Sequence, residues 1–234
     1  MKIMGRNCIS EVLKAAPERL LEVYTCQKDD GLLKELKAKG IRISMRTKQQ
    51  LEQMVESQSH QSYVARVQKK APVELKDFLS TSREKSVVLM LDSIYDPQNF
   101  GAILRAAECF GVDLIVHSKN RGCAITPTVS KTSVGASELM DICSVSNLAQ
   151  AMKTLQKAGY WSVAAHVSDQ SQDLKSFEFP EKTLLILGSE GKGIQPLLAK
   201  QSDFHVAIKM HGRIDSLNVS QAASVFLSAL DTSA

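Results

Sequence analysis

The chain has 234 residues, 44% of them hydrophobic, and carries 29 Lys+Arg against 25 Asp+Glu. That length admits one large domain or two unequal ones, and the apolar share is enough for a sizeable core. No apolar run reaches the roughly 18 residues of a membrane-spanning helix, so no membrane partner is expected.

The charge is unevenly spread. Residues 1–70 hold 14 Lys+Arg and 8 Asp+Glu, whereas the remainder holds 15 and 17. A basic module joined to a near-neutral one points to a polyanion as partner of the first. The five cysteines (Cys8, Cys26, Cys109, Cys123 and Cys143) are odd in number, scattered, and never paired as Cys-x-x-Cys. This argues against a disulfide framework and against a structural zinc site, so no metal is expected. Met1-Lys-Ile-Met-Gly-Arg6 has no apolar signal core, and a reducing cytoplasm is the expected location.

In chain order, residues 1–70 alternate. Ile9 to Ala15 reads as helix, Leu20 to Cys26 as extended and Asp29 to Ala38 as helix. Ile41 to Arg46 reads as extended, Thr47 to Glu56 as helix with Thr47 as its cap, and Tyr63 to Val67 as extended. Residues 71–86 are polar without clear periodicity and read as a linker with at most a short helical turn. From Val87 to the end, short apolar strands alternate with helices. The strands are Val87 to Leu91, Leu114 to His117, Met140 to Val145, Trp161 to His166, Thr183 to Leu187 and Phe204 to Ile208. The helices are Asn99 to Phe110, about Thr128 to Ser137, Leu148 to Ala158, Pro196 to Gln201 and Leu217 to Asp231, with Ser216 where an N-cap belongs. Such alternation predicts an α/β fold with a mainly parallel sheet covered by helices on both faces. The expected domains are therefore 1–70 and 87–234, joined by 71–86.

Two familiar nucleotide signatures are absent. Gly188 to Gly193 has P-loop glycine spacing, but Ile194 stands where lysine is required. Gly191-Lys-Gly193 runs on to Pro196 without the third glycine of a dinucleotide fingerprint. What remains is a strand, Leu187, opening into a glycine-rich loop that lets backbone approach a ligand closely.

Three stretches occur in order: Asp92-Ser-Ile-Tyr-Asp-Pro-Gln-Asn-Phe-Gly-Ala-Ile-Leu-Arg105, Ile186-Leu-Gly-Ser-Glu-Gly-Lys-Gly-Ile194, and Ile208-Lys-Met-His-Gly-Arg-Ile-Asp-Ser-Leu-Asn-Val-Ser220. Together they resemble the three motifs of the SpoU (TrmH) family of RNA ribose 2′-O-methyltransferases. The likeness covers about residues 86 to 232 strongly and the first 70 more weakly. It implies S-adenosylmethionine as cofactor, a SPOUT-type fold with a C-terminal trefoil knot, and a homodimer with its active site near the subunit interface. It implies cofactor binding by backbone around Leu187, Gly188, Ile208, Met210 and Leu217. It also implies catalytic roles for Asn99, Arg105, Glu190, Ser216 and Asn218, with Asn99 orienting Arg105 or the ribose, Glu190 fixing Arg105 through an ion pair, and Ser216 and Asn218 serving as cap and as RNA or cofactor contact. A guanidinium stays protonated at neutral pH and is a poor base, so Arg105 is read as gripping the neighbouring phosphate and polarising the hydroxyl.

The first 70 residues resemble the L30-like RNA-binding domain of some family members. There His60-Gln-Ser62 stands for a His-Gln-Gly entry, and Ser62 is strained if the turn requires positive φ. A second departure is Lys209 where the family has proline, which restores an N–H and adds a charge. The appended domain and Lys131-Thr-Ser-Val-Gly-Ala136 place the closest likeness in the bacterial 23S ribosomal RNA guanosine-2′-O-methyltransferase branch, with 23S rRNA as expected partner. The alternatives are a transfer RNA ribose methyltransferase and a non-catalytic RNA-binding ribosome-assembly protein.

Overall fold

The computed structural model describes residues 1–81, 83–189 and 191–230. The chain divides into two compact units: Met1–Ala71 with Ile125–Leu139, and Pro72–Ala124 with everything from Met140 onward.

The first unit begins with β1 (Lys2–Met4) and α1 (Arg6–Ala15), followed by β2 (Leu20–Thr25), α2 (Gly31–Ala38), β3 (Ile43–Met45), α3 (Lys48–Val55) and β4 (Tyr63–Val67). Its sheet has the order β1-β4-β2-β3, with β4 antiparallel to both neighbours and β2 parallel to β3. Local chemistry accounts for the helix starts. Asp30 accepts a bond from the Leu33 N–H, and Thr47 forms a capping box with Gln50. α1 and α2 bury Ile9, Val12, Leu13, Leu32, Leu33 and Leu36 against Ile3, Val23, Ala65 and Val67 on one face of the sheet. α3 covers Met4 and Val64 on the other face with Leu51. β1, three residues long, carries too little alternation to be legible beforehand.

Gln61 and Ser62 both have positive φ, 51° and 66°, and Tyr63 N–H bonds back to His60 C=O at 2.9 Å. The turn thus requires the left-handed region at the family's glycine position, and Ser62 occupies it at some strain.

The second unit opens with α4 (Leu75–Ser80) inside the expected linker, then β5 (Ser86–Leu91), α5 (Pro97–Cys109) and β6 (Leu114–Ser118). The chain then contributes α6 (Pro127–Thr132) and α7 (Ala136–Leu139) to the first unit before resuming with β7 (Ile142–Val145), α8 (Leu148–Lys157) and β8 (Trp161–Ala165). The rest is β9 (Gln172–Asp173), β10 (Lys182–Leu187), α9 (Pro196–Gln201), β11 (Phe204–Ala207) and α10 (Val219–Leu230). The sheet order is β7-β6-β5-β10-β8-β11-β9, and every pairing is parallel. Val88, Met90, Leu114, Val116, Leu184 and Ile186 pack under α8 and α9. The alternate residues Leu89, Leu91, Ile115, Leu185 and Leu187 are also buried, as two-sided coverage requires. No described helix is long and apolar enough to cross a membrane.

Two sequence expectations need correction. The single helix about Thr128 to Ser137 is broken: Val134 and Gly135 have φ of 55° and 95° and separate α6 from α7. The break has a packing cause, because a Cβ on Gly135 would lie 3.2 Å from the Cys8 carbonyl oxygen and 3.3 Å from its Cα, so the chain turns where it meets α1. The last helix starts at Val219, not Leu217. Its N-terminal side-chain acceptor is Asn218, whose Oδ1 takes the Ser220 N–H at 2.8 Å and the Ser220 hydroxyl at 2.6 Å. Ser216 is exposed and donates to Asp215 Oδ1 at 3.0 Å.

The segment 125–139, expected in the second domain, is fastened inside the first unit by a buried ion pair. Arg19 Nη2 lies 2.7 Å from Glu138 Oε2, Arg19 Nη1 donates to the Glu138 carbonyl at 2.8 Å, and Glu138 is 3% exposed. Ser130 and Ser137 hydroxyls donate to the other carboxylate oxygen. A buried charge pair with its remaining lone pairs filled is costly to break from one side, at about 3–5 kcal/mol.

Candidate active site

In a wholly parallel sheet the loops after every strand open on one edge, where ligand sites form. The register aligns that edge. Leu91 pairs with Leu187, and the Asp92 N–H continues the ladder to the Leu187 carbonyl at 2.9 Å. Extending the β10–β8 and β8–β11 registers sets Gly188 level with His166 and Ala207. Gly188 and Ala207 are two strands apart, roughly 10 Å, and Ile208 follows directly. Leu187 is buried, while Gly188, Ile208 and Met210 are half-buried.

The loop after β10 is closed on itself. Ser189 N–H donates to Gly193 C=O at 3.1 Å and Gly193 N–H to Ser189 C=O at 2.9 Å. Gly191 and Gly193 take φ of 77° and 64°. Gly188 is required for a different reason: a Cβ there would fall 2.1 Å from Gly193 C and 2.3 Å from Ile194 N. Glu190, expected to be catalytic, lies outside the described residues.

Asp92 secures this loop, a role sequence reading did not assign. Its fully buried carboxylate accepts the Gln195 backbone N–H at 2.7 Å, the Gln195 side-chain amide at 2.6 Å and the Ser93 hydroxyl at 2.9 Å. Gln195 Oε1 in turn accepts from Arg121 Nη1 at 2.6 Å, so the loops after β5, β6 and β10 are joined. The available signal was an acidic residue placed directly after an apolar strand.

α5 begins at Pro97 with Asp96 as cap, accepting the Gln98 N–H, so Asn99 sits within the first turn and is not the cap. Asn218 Nδ2 donates to Asn99 Oδ1 at 3.0 Å. That bond ties the start of α10 to the start of α5, 119 residues apart in sequence. The two helices pack along each other, and each has a buried face: Phe100, Ile103, Leu104 and Ala107 on α5, and Val219, Ala223, Phe226 and Leu227 on α10. Arg105 is six residues beyond Asn99, so it projects about 120° away around α5. It is exposed, and among the described residues it has neither ion pair nor hydrogen-bond partner. Asn99 and Asn218 are thus brought together, while Arg105 and Ser216 stand in solvent.

The connection 208–217 between β11 and α10 has no regular secondary structure. Among the described residues its backbone N–H and C=O groups form no backbone hydrogen bonds. It displays apolar surface, with Ile214 78% and Leu217 37% exposed. Uncommitted backbone groups beside apolar side chains suit a heteroaromatic ring that hydrogen-bonds at its edge and stacks on its faces. At the same edge, burial and then the neighbouring His205, edge-on at 5.4 Å, push the His166 imidazole down from its ordinary value.

Two family models match the chain: the SpoU rRNA Methylase family over residues 86–228, and the RNA 2′-O ribose methyltransferase substrate-binding domain over residues 2–73. The 23S rRNA (guanosine-2′-O-)-methyltransferase RlmB of Coxiella burnetii is 31% identical over 96% of this chain and 92% of its own length. That of Shewanella oneidensis is 34% identical over 96% and 94%. The SpoU methyltransferase AviRb from Streptomyces viridochromogenes, solved in complex with AdoMet, superposes with a TM-score of 0.77 over 99% of this chain and 89% of that one. At 20% identity this last likeness speaks for the fold.

Proposed function

The chain belongs to the SpoU rRNA methylase family, and from that premise we propose that it methylates the ribose 2′-hydroxyl of a guanosine in 23S ribosomal RNA. The observation that carries this reading is kinship over 96% of the chain with enzymes named for that reaction, across both matched regions. Their names favour ribosomal over transfer RNA, and a methylase over a non-catalytic assembly factor.

S-adenosylmethionine, when bound, supplies an electrophilic methyl group. The residues at the carboxyl edge fit it. Leu187, Gly188, Ile208, Met210 and Leu217 offer backbone groups and apolar surface, and Asp92 holds the 188–195 loop in shape through Gln195. Arg105, exposed and uncommitted among the described residues, grips the phosphate beside the reacting ribose through its planar fork. It thereby aligns the 2′-oxygen and steadies the charge that develops as the proton leaves. Asn99 and Asn218 position α5, and hence Arg105, against the start of α10. Glu190 and Ser216 complete the proposed set.

Residues 1–70 capture RNA through their basic excess, and the second unit, from Pro72 onward without 125–139, carries the chemistry. The path of 208–217, from β11 past β8 and β10 to α5, accords with the trefoil knot we assign to it. The protein acts in the cytoplasm as a homodimer that covers exposed apolar residues such as Val225 on α10.

Incubating RNA from cells lacking this gene with the protein and labelled S-adenosylmethionine, then mapping the modified ribose, tests the reading. One labelled guanosine in 23S rRNA is expected. Label confined to transfer RNA, or no label, overturns it.

A further inference from the structure

The four-stranded sheet of the first unit is covered by α1 and α2 on one face, whereas α3 covers only part of the other. On the uncovered part, strand register sets four residues in a row. Lys2, whose ammonium also donates to the Met54 carbonyl of α3 at 2.9 Å, lies opposite Arg66 across β1 and β4, Arg66 opposite Glu22 across β4 and β2, and Arg42 beside Glu22 at the head of β3. With neighbouring strands about 4.8 Å apart, the row is roughly 14 Å long. It carries three cations and one anion.

The anion organises the cations. Glu22 is 7% exposed. Its Oε1 accepts the Ser44 hydroxyl at 2.6 Å and lies 3.4 Å from Arg42 Nε. Its Oε2 accepts the Tyr24 hydroxyl at 2.8 Å and lies 3.6 Å from Arg66 Nη2. The two hydroxyl bonds, and after them the two guanidiniums, hold this carboxyl below its ordinary value. The two arginine side chains nevertheless remain 74% and 52% exposed. Each guanidinium has five donors and turns one toward Glu22, which orients the fork and leaves the other donors facing outward. An ion pair built only for stability would gain little at such exposure. A row of preoriented forks with net positive charge is the complement of a phosphodiester backbone, which guanidinium recognises bidentately.

We propose that the open face of the first unit's sheet, along Lys2, Arg66 and Arg42 with Glu22 as organiser, is where the sugar-phosphate backbone of the substrate RNA crosses this domain. The inference rests on the RNA-methyltransferase reading and says which face does the capturing.

The full chain carrying Arg42→Gln and Arg66→Gln is compared with one carrying Lys34→Gln and Lys37→Gln. The latter pair is exposed on α2, behind the opposite face, and removes the same charge. Binding of transcribed 23S rRNA is measured against salt, S-adenosylmethionine binding by calorimetry, and thermal unfolding as a check on folding. Each phosphate contact contributes about 0.7–0.9 to the slope of log K on log salt. The arginine pair should therefore lower the slope by about 1.5 and weaken binding about 30-fold at 0.1 M salt. The lysine pair should weaken it less than about threefold, and cofactor binding should be unchanged in both. Should the arginine pair fail to fold, Arg42→Gln by itself should lower the slope by about 0.8. Equal losses in the two pairs, with wild-type methylation intact, overturn the row and leave the function standing. A wild-type protein that neither binds nor methylates 23S rRNA overturns the function and takes the row with it.

Discussion

Replacing Gly188 with alanine should open the glycine-rich loop, and the cost follows from the contacts. The added methyl would sit 2.1 Å from Gly193 C and 2.3 Å from both Gly193 O and Ile194 N. Carbon contacts are comfortable near 3.5–4.0 Å, so the loop must retreat by roughly 1 Å or more. All three atoms are backbone, and no side chain can swing aside. Retreat breaks the reciprocal Ser189–Gly193 bonds, about 1 kcal/mol each. It also draws Gln195 from Asp92, leaving a buried carboxylate short of donors at about 1–3 kcal/mol. Lost freedom of the unfolded chain returns about 0.4–1 kcal/mol. The net is about 3 kcal/mol, which lowers the melting temperature of the second unit by about 6–12 °C. Circular dichroism melts read the stability, and calorimetry reads S-adenosylmethionine affinity, which should fall with it. The control is Gly191→Ala, where nothing lies within 4 Å of the added methyl and only positive φ opposes it; it should cost about 1–2 kcal/mol. A Gly188→Ala protein that melts within about 2 °C of wild type would refute the close-approach argument.

Other perturbations separate chemistry from architecture. Arg105→Ala should shift stability by no more than about 0.5 kcal/mol, since the side chain is exposed, yet nearly abolish methylation in a single-turnover assay. Arg105→Lys should fail almost as badly because it keeps charge and loses the fork, and a lysine variant of normal rate would reduce the role to charge. Asn218→Ala removes both the acceptor at the α10 start and the tether to Asn99; urea titration should show a loss of about 1–2 kcal/mol, with methylation lowered. Ser62→Gly should stabilise the first unit by about 0.5–1 kcal/mol, because glycine takes the 66° φ without strain, which outweighs the added freedom of the unfolded chain, while the bonds from the residue-62 N–H to His60 Nδ1 and from the Tyr63 N–H to the His60 carbonyl persist. Burial pushes the His117 imidazole below its ordinary value. Its folded pKa thus lies below the unfolded one, and stability is full above about pH 6.5. It should fall as pH drops below that, by up to about 1.4 kcal/mol per pH unit, in urea midpoints taken from pH 7.5 to 5. His117→Gln should flatten that slope.

Much of the fold was legible in the chain because its signals are local. The continuous apolar run Thr183 to Leu187 falls within one residue of the observed strand, since burial on both faces admits little else. Thr47 and Gln50 announce a helix start because the partners of a capping box are three residues apart. Ser62 could be marked as strained because the demand for positive φ belongs to a single residue. The three ordered motifs carried the methyltransferase expectation on the same footing, as short runs readable one after another.

Tertiary structure decided what depends on partners remote in sequence. Whether Ser216 or Asn218 starts α10 turned on Asn99, 119 residues away. The role of Asp92 exists only because Gln195, 103 residues on, arrives at its carboxylate. The helix expected about Thr128 to Ser137 broke where Gly135 meets Cys8, and the segment around it joined the first unit through Arg19 and Glu138. The row of Lys2, Arg66, Glu22 and Arg42 is invisible in a linear reading, since strand register assembles it from four separate strands. A periodicity reports neighbours within about one helical turn. A buried carboxylate, a forced glycine or an arginine aimed outward is determined by whichever distant backbone the fold brings within 3 Å, and no local pattern carries that distance.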